Sequence, residues 1–171
     1  MQAIVRHQKY IIRSYHAEDA PSLAKHANNR KVWLNLRDRF PHPYRLQDAV
    51  IFLEAAVRSD QVYAIAKENE CIGGIGIHPD DDVHRHSAEL GYWLAEPFWG
   101  QGIMSALVSP FCTFAADAFN LHRIYAEPYT TNPASARVLE KSGFQLEGTM
   151  RKNVFKDGVL MDQWLYAKLF I

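Results

Sequence analysis

The chain has no run approaching the ~20 apolar residues that a helical membrane span needs, and its first residues, MQAIVRHQKYIIRSYH, lack the continuous apolar stretch of a secretory signal. The expectation is a cytoplasmic protein with no membrane partner. Cysteine is scarce. Cys71 and Cys112 are too few for a disulfide framework or a zinc-ligand set, and each sits among apolar residues, as buried free thiols do. An excess of one charge is also missing: 19 Lys and Arg against 19 Asp and Glu give a net charge of zero. That removes the basic footprint expected of a nucleic-acid binder, although a local basic patch survives the argument. The 8 Tyr, 9 Phe and 4 Trp are scattered, so no stacking platform for bases is evident. There is no internal repeat, low-complexity tract or linker.

What is present is an ordinary globular composition, 48% hydrophobic and 22% charged over 171 residues. That length fits one domain with a real core. The segment KYIIRSY (Lys9 to Tyr15) reads as a first strand, AEDAPSLAKHANN as a helix that tolerates Pro21 near its start. In KVWLNLRDRFPHPYR, Pro41 and Pro43 forbid a continuous helix. Leu46 to Asp60 has apolar residues at helical spacing and acids near its start. VYAIAK and CIGGIGIH read as a hairpin turning at Glu68-Asn69-Glu70, and AELGYWLA as the next strand. Ile103 to Phe119 reads as a long helix that Pro110 should kink or deprive of a hydrogen bond. Arg123 to Thr130 reads as a strand. Asn132 as N-cap, Pro133 at the first helical position and Gly143 past the end bracket a further helix. FQLEGTMRKNVF and VLMDQWLYAKLF form a final hairpin around Lys156-Asp157-Gly158. This order fits an α/β (α+β) fold with one central sheet and helices on both faces.

The stretch EPFWGQGIMSAL sets Gly100 and Gly102 between a strand and the long helix, with no charged side chain between them. The start of a helix leaves backbone N–H groups unpaired and carries partial positive charge. Phosphate oxygens answer both demands, and glycines let the backbone approach closely. A tight structural turn is the competing reading. A Walker loop would end in Gly-Lys-Ser/Thr, whereas this turn runs on into Ile103 and Met104. A dinucleotide fingerprint would place a third glycine where Ser105 stands.

Read with its flanks, AELGYWLAEPFWGQGIMSAL followed by LHRIYAEPYTTNPASARVLEKSGFQLEGTMRKNVFKDGVLMDQWLYA resembles the GNAT acyltransferase superfamily, in particular the branch of ribosomal-protein N-terminal acetyltransferases. IIRSYHAEDAPSLAKHANN and CIGGIGIH agree more loosely, and the resemblance covers nearly the whole chain. It implies a mixed, mostly antiparallel sheet, splayed between AELGYWLA and RIYAEPYT, as a single domain over 1–171. It implies acetyl-CoA as cosubstrate, its pantetheine along the main chain of Tyr92, Trp93 and Leu94, and its pyrophosphate at Trp99, Gly100, Gln101, Gly102, Ile103, Met104 and Ser105. The family signature of Arg or Gln, two residues, Gly, one residue, then Gly or Ala is met here by Trp99, Gly102 and Met104, so its first and last positions depart. Asn132, besides capping its helix, is the resemblance's contact to pantetheine or thioester; Arg137 and Lys141, one turn apart, are placed to meet the cofactor's phosphates or solvent alone. Where many members carry a proton-donating Tyr, this chain has Leu139; Ser135, one turn from Asn132, is the substitute donor.

Acetyl transfer to an amine needs a neutral nitrogen, and an alkylamine is mostly protonated near pH 7. Glu89, alternating with apolar Ala88 and Leu90, is the candidate base; a structurally paired strand carboxylate is the competing reading. The acceptor is a protein N-terminal amine or a small amine, and the branch builds its acceptor pocket near Trp33, Arg37, Arg39 and Phe40. An inert acyl-CoA-binding module is the second reading, kept by Met104 and Leu139. The acids and histidines at Asp81, Asp82, His84 and His86 read as a solvated loop, with no metal site. The terminal hairpin offers a candidate homodimer edge.

Overall fold

The computed structural model describes residues 3–171. The elements run β1 (Val5–His7), β2 (Tyr10–Arg13), α1 (Ala20–Ala27), α2 (Arg30–Trp33), α3 (Leu46–Ala56), β3 (Val62–Lys67), β4 (Glu70–Pro79), β5 (Ser87–Leu94), α4 (Ile103–Phe119), β6 (Arg123–Ala126), α5 (Pro133–Lys141), β7 (Gln145–Lys156) and β8 (Val159–Leu169). Eight strands form one sheet in the order β1-β2-β3-β4-β5-β6-β8-β7. The β1–β2, β2–β3, β3–β4, β6–β8 and β7–β8 pairs are antiparallel, and β5–β6 is parallel. The chain divides into two compact units: residues up to Gly76 with Tyr92–Ile103, and Ile77–Gly91 with Met104–Ile171.

In the first unit, α1 and α3 pack on β3 and β4. Tyr15, Leu23, Ala27, Tyr44, Ala49, Leu53, Ala56, Ala64 and Cys71 form one buried cluster. The glycines of β4 permit close packing: a Cβ on Gly73 would stand 2.4 Å from the Trp93 carbonyl, and one on Gly74 2.5 Å from the Tyr15 hydroxyl. Beside this cluster Arg13, 2% exposed, grips Asp19 through two hydrogen bonds of 2.8 and 2.7 Å, and Asp19 also accepts from the His16 N–H at 2.9 Å.

In the second unit, α4 buries Leu107, Val108, Phe111, Cys112 and Ala115, a single stripe at helical spacing. Fully burying a side chain such as Leu107 or Phe111 contributes roughly 1.5–3 kcal/mol. Pro110 lies on the exposed side, and the helix continues through it to Phe119. Asn132 caps α5, accepting from the Ser135 N–H at 3.2 Å. The β7–β8 turn places Asp157 and Gly158 at φ 51° and 80°, as a two-residue hairpin turn demands.

Four boundaries differ from the sequence reading. The first strand is the second arm of a short hairpin, because Gln8 at φ 52° turns the chain between β1 and β2. The helix expected through Asn29 stops at Ala27, since the Asn29 side chain caps a new turn, accepting from Lys31 and Val32 N–H. α3 ends at Ala56, where Arg58 and Ser59 bond to Ala55 and Ala56 in the tighter i−3 pattern. β6 ends at Ala126 because Pro128 has no N–H for the ladder; the chain touches β8 again through Tyr129 and Gln163.

Candidate active site

In the first unit, β5 delivers Tyr92, Trp93 and Leu94, and a single 3-10 turn at Glu96–Phe98 leads into the glycines. Trp99 folds back so that its indole Nε1 donates to the Leu94 carbonyl at 2.6 Å. One lone pair of that carbonyl, which the sequence reading left for pantetheine, is therefore occupied by the turn itself. Gln101 is pinned sideways: its Nε2 donates to the Pro97 carbonyl at 3.0 Å and its Oε1 accepts from Tyr10 at 3.4 Å. Gly100 and Gly102 adopt φ 73° and 74°, and a Cβ built on either meets nothing within 4 Å. The glycines thus answer to backbone conformation, and the space over them is left open by the protein. Gly102 stands immediately before α4 and has no side chain with which to accept from the first-turn amides.

Ile103 and Met104 are buried, Met104 at 8% exposure, so the bulk of the methionine is covered by protein. Ser105 is half-buried. Trp99, standing where the signature has Arg or Gln, braces the turn.

In the second unit, Glu89 is half-buried between fully buried Ala88 and buried Leu90. It lies in register with Tyr125 of β6, and the parallel pairing stops at that rung, while β5 runs on to Leu94. The Tyr125 hydroxyl donates to Asp80 Oδ1 at 3.1 Å. Burial first, then the negative charges of Asp80, Glu89 and Glu127, push its pKa up to about 12, so the phenol keeps its proton near neutrality. The sequence reading missed Tyr125, Asp80 and Glu127. The signal was the alternation of Arg123-Ile124-Tyr125-Ala126, which turns Tyr125 to the face opposite the apolar Ile124 and Ala126, with Glu127 following just past the strand end.

On α5, Asn132 and Ser135 are half-buried one turn apart, Arg137 is exposed, and Leu139 is fully buried in the core. The thiols of Cys71 and Cys112 are pushed up to about 12 by burial and stay protonated. Among the described residues no group of three or more His, Cys, Asp or Glu is arranged to hold a metal ion, and no helix is long and apolar enough to cross a membrane.

Residues 9–145 match the sequence model of the acetyltransferase (GNAT) domain, a span that runs through both units. The chain belongs to the GNAT family. Among curated GNAT relatives, it is 38% identical over 98 residues to an uncharacterized N-acetyltransferase, YoaA, of Bacillus subtilis, covering 57% of this chain and 55% of that one. It is 33% identical over 109 residues to the ribosomal-protein-serine acetyltransferase of Escherichia coli, covering 64% and 60%. The chain thus spans little more than half the length of these relatives. Among solved structures, the RimL acetyltransferase of ribosomal protein L7/L12 in complex with coenzyme A superposes with a TM-score of 0.86 at 24% identity, covering 98% of each chain. RimJ of Mycobacterium smegmatis in complex with CoA-disulfide superposes with a TM-score of 0.80 at 24% identity, covering 94% of this chain and 81% of that one. These likenesses establish the GNAT fold.

Proposed function

We propose that this chain is an acetyl-CoA-dependent N-acetyltransferase whose acceptor is the α-amine of a polypeptide N-terminus. The observation that carries the reading is the turn Trp99–Gly102. Its two glycines hold positive φ, a Cβ on either would meet nothing within 4 Å, and α4 begins directly behind Gly102, which has no side chain to cap it. Acetyl-CoA would supply the acetyl group as an activated thioester. The main-chain N–H groups from Gly100 to Ser105 would hold its diphosphate, and main-chain groups of Tyr92 and Trp93 would orient its pantetheine arm. In the second unit, Asn132 of α5 is a candidate contact to pantetheine, and Arg137, exposed on the same helix, a candidate contact to phosphate.

In the second unit, Glu89 would take the proton that an arriving ammonium must lose. The acids around Tyr125 would favour the approach of that ammonium. Ser135 would supply a proton toward the departing sulfur. Protonated, buried thiols argue for direct transfer and against a cysteine-bound intermediate. The polypeptide acceptor is supported by the relatives named for ribosomal-protein acetylation. Met104 is covered by protein, which supports an open phosphate turn, while Leu139 in the core leaves the proton toward sulfur to Ser135.

A thermal-shift titration with acetyl-CoA, CoA and NAD, read beside release of CoA thiol with Ser- and Ala-initiated peptides, tests this. Saturation at a hundredfold the dissociation constant adds about 2.7 kcal/mol, a rise of roughly 5–10 °C for a chain of this size. Acetyl-CoA and CoA should give the shift, and NAD should not. Glu89→Gln should keep the shift and lower kcat by roughly 10²-fold or more. An unchanged rate and pH profile in that variant would remove Glu89 from the role, and the absence of a shift with either CoA species would overturn the proposal.

A further inference from the structure

The connection between α1 and α3 is strongly basic within a chain of zero net charge. Between Asn28 and Arg45 it carries Arg30, Lys31, Arg37, Arg39 and Arg45 against the single acid Asp38. All five cations are exposed. Glu96 pairs with Lys31, and the Asp48 carboxylate accepts from the Arg45 N–H at 2.7 Å. Counting both of those acids against the segment still leaves an excess of positive charge.

The segment is a built surface with ring contacts along its length. Trp33 stacks on His42 at 5.5 Å, Arg30 lies over the Trp33 ring at 5.6 Å, and Phe40 packs on Tyr44 at 5.0 Å. The Tyr44 N–H donates to Asn28 Oδ1 at 3.1 Å. It is also fastened to the part of the first unit assigned above to acetyl-CoA. Phe40 meets Trp93 of β5 edge-on at 5.8 Å. Asn29 Nδ2 donates to Glu96 Oε2 at 2.7 Å, and Lys31 binds the other oxygen, three residues before Trp99. An ordered cationic face thus stands beside the strand and turn that would present the thioester.

From this placement we propose that the Arg30–Arg45 face selects acceptor polypeptides whose N-terminal segment is acidic in the residues following the first. The inference rests on the acetyltransferase reading above. Guanidinium groups suit this task because their planar forks bind carboxylates with two parallel hydrogen bonds. The field of an exposed cluster also raises the encounter rate with an oppositely charged partner, in a manner that salt suppresses.

The test uses three Ser-initiated decapeptides that differ at positions three to six: Asp and Glu, their amides Asn and Gln, or Lys. At low salt the acidic peptide should exceed the amide peptide in kcat/KM by about tenfold, mostly through KM, and the gap should close to under about threefold at 0.5 M NaCl. The double variant Arg39→Glu/Arg45→Glu should reverse the order of acidic and Lys peptides while keeping its acetyl-CoA thermal shift. Equal kcat/KM for acidic and amide peptides, or an order unmoved by the double variant, overturns the proposal. So does a result in which single-stranded RNA binds through these arginines and the peptides show no charge preference. If no peptide is turned over, the acetyltransferase reading has failed separately. Fluorescence anisotropy of the labelled peptides with CoA present then decides: preferential, Arg39- and Arg45-dependent binding of the acidic peptide upholds the docking face, and equal binding ends it.

Discussion

At the scale of single residues, the turn separates two reasons for a glycine. Gly73 and Gly74 are required by neighbours that a Cβ would strike, whereas Gly100 and Gly102 have open space and a positive φ. Gly102→Ala should therefore cost about 1–2 kcal/mol, the usual cost of a left-handed conformation in a residue with a Cβ, without any clash inside the protein. If the open space belongs to a diphosphate, the methyl group should also raise KM for acetyl-CoA by roughly tenfold, the equivalent of about 1.4 kcal/mol. KM and the melting temperature, measured together, separate the two effects. A variant that lost stability yet bound acetyl-CoA normally would make this a structural turn. Met104 teaches a related lesson. It departs from the Gly or Ala of the signature, but a residue's size says nothing of where the helix start points it, and it is buried.

At the scale of elements, the Arg13–Asp19 pair joins β2 to the entry of α1 inside the first unit. Both side chains are almost wholly buried, at 2% and 3% exposure, and Arg13 Nε has no hydrogen-bond partner. Removing one partner strands a buried charge, so Asp19→Ala should cost about 3–5 kcal/mol, a fall of roughly 10–15 °C in melting temperature. Arg13→Met/Asp19→Leu removes both charges, and it should be markedly more stable than Asp19→Ala alone, as thermal melts of the two variants would show. Equal melting temperatures would mean that the pair matters only for its packing. The sequence disclosed elements that carry their own punctuation: α5, with Asn132, Pro133 and Gly143, and the β7–β8 turn, with Asp157 and Gly158. It concealed those decided by distant partners. β1 has the unremarkable sequence Val5-Arg6-His7 and exists through its pairing with β2. The cluster of Tyr125, Asp80 and Glu89 depends on which strands lie side by side, which no local pattern in the chain declares. Most residues proposed above for the cofactor were legible because the contiguous stretch from Tyr92 to Ser105 holds them; the surroundings of the proposed base, Glu89, were not.

At the scale of the whole molecule, shifted ionisations bound the pH range of stability from both sides. Hydrogen bonds from Lys25 and His26 lower Glu70, those from Lys31 and Asn29 lower Glu96, and that from Arg123 lowers Glu147, each below an ordinary 4.5. A lowered carboxylate holds its proton less tightly in the folded state. Its stabilisation is complete above the unfolded value and drains away as pH falls below about 4.5. Burial acts in the opposite direction on Cys71 and Cys112, which rise from 9.0, on Tyr44, which rises from 10.0, and, with help from neighbouring acids, on half-buried Tyr125, which rises from 10.0, each to about 12. These groups stay neutral in the fold and ionise earlier when unfolded. Their stabilisation is complete below about pH 9 and is lost progressively as pH climbs toward 12. The melting temperature should therefore be nearly flat from about pH 5 to 9 and fall on either side. The two limbs should also respond differently to salt. The acid limb rests on exposed ion pairs, each worth under about 1 kcal/mol and weakened by screening, so 0.5 M NaCl should make it shallower. The alkaline limb rests chiefly on buried thiols and phenols that salt does not reach, so it should keep its slope. Thermal melts from pH 3.5 to 11 at low and high salt check both statements, and an alkaline limb flattened by salt would show that surface charge, not burial, sets the upper bound.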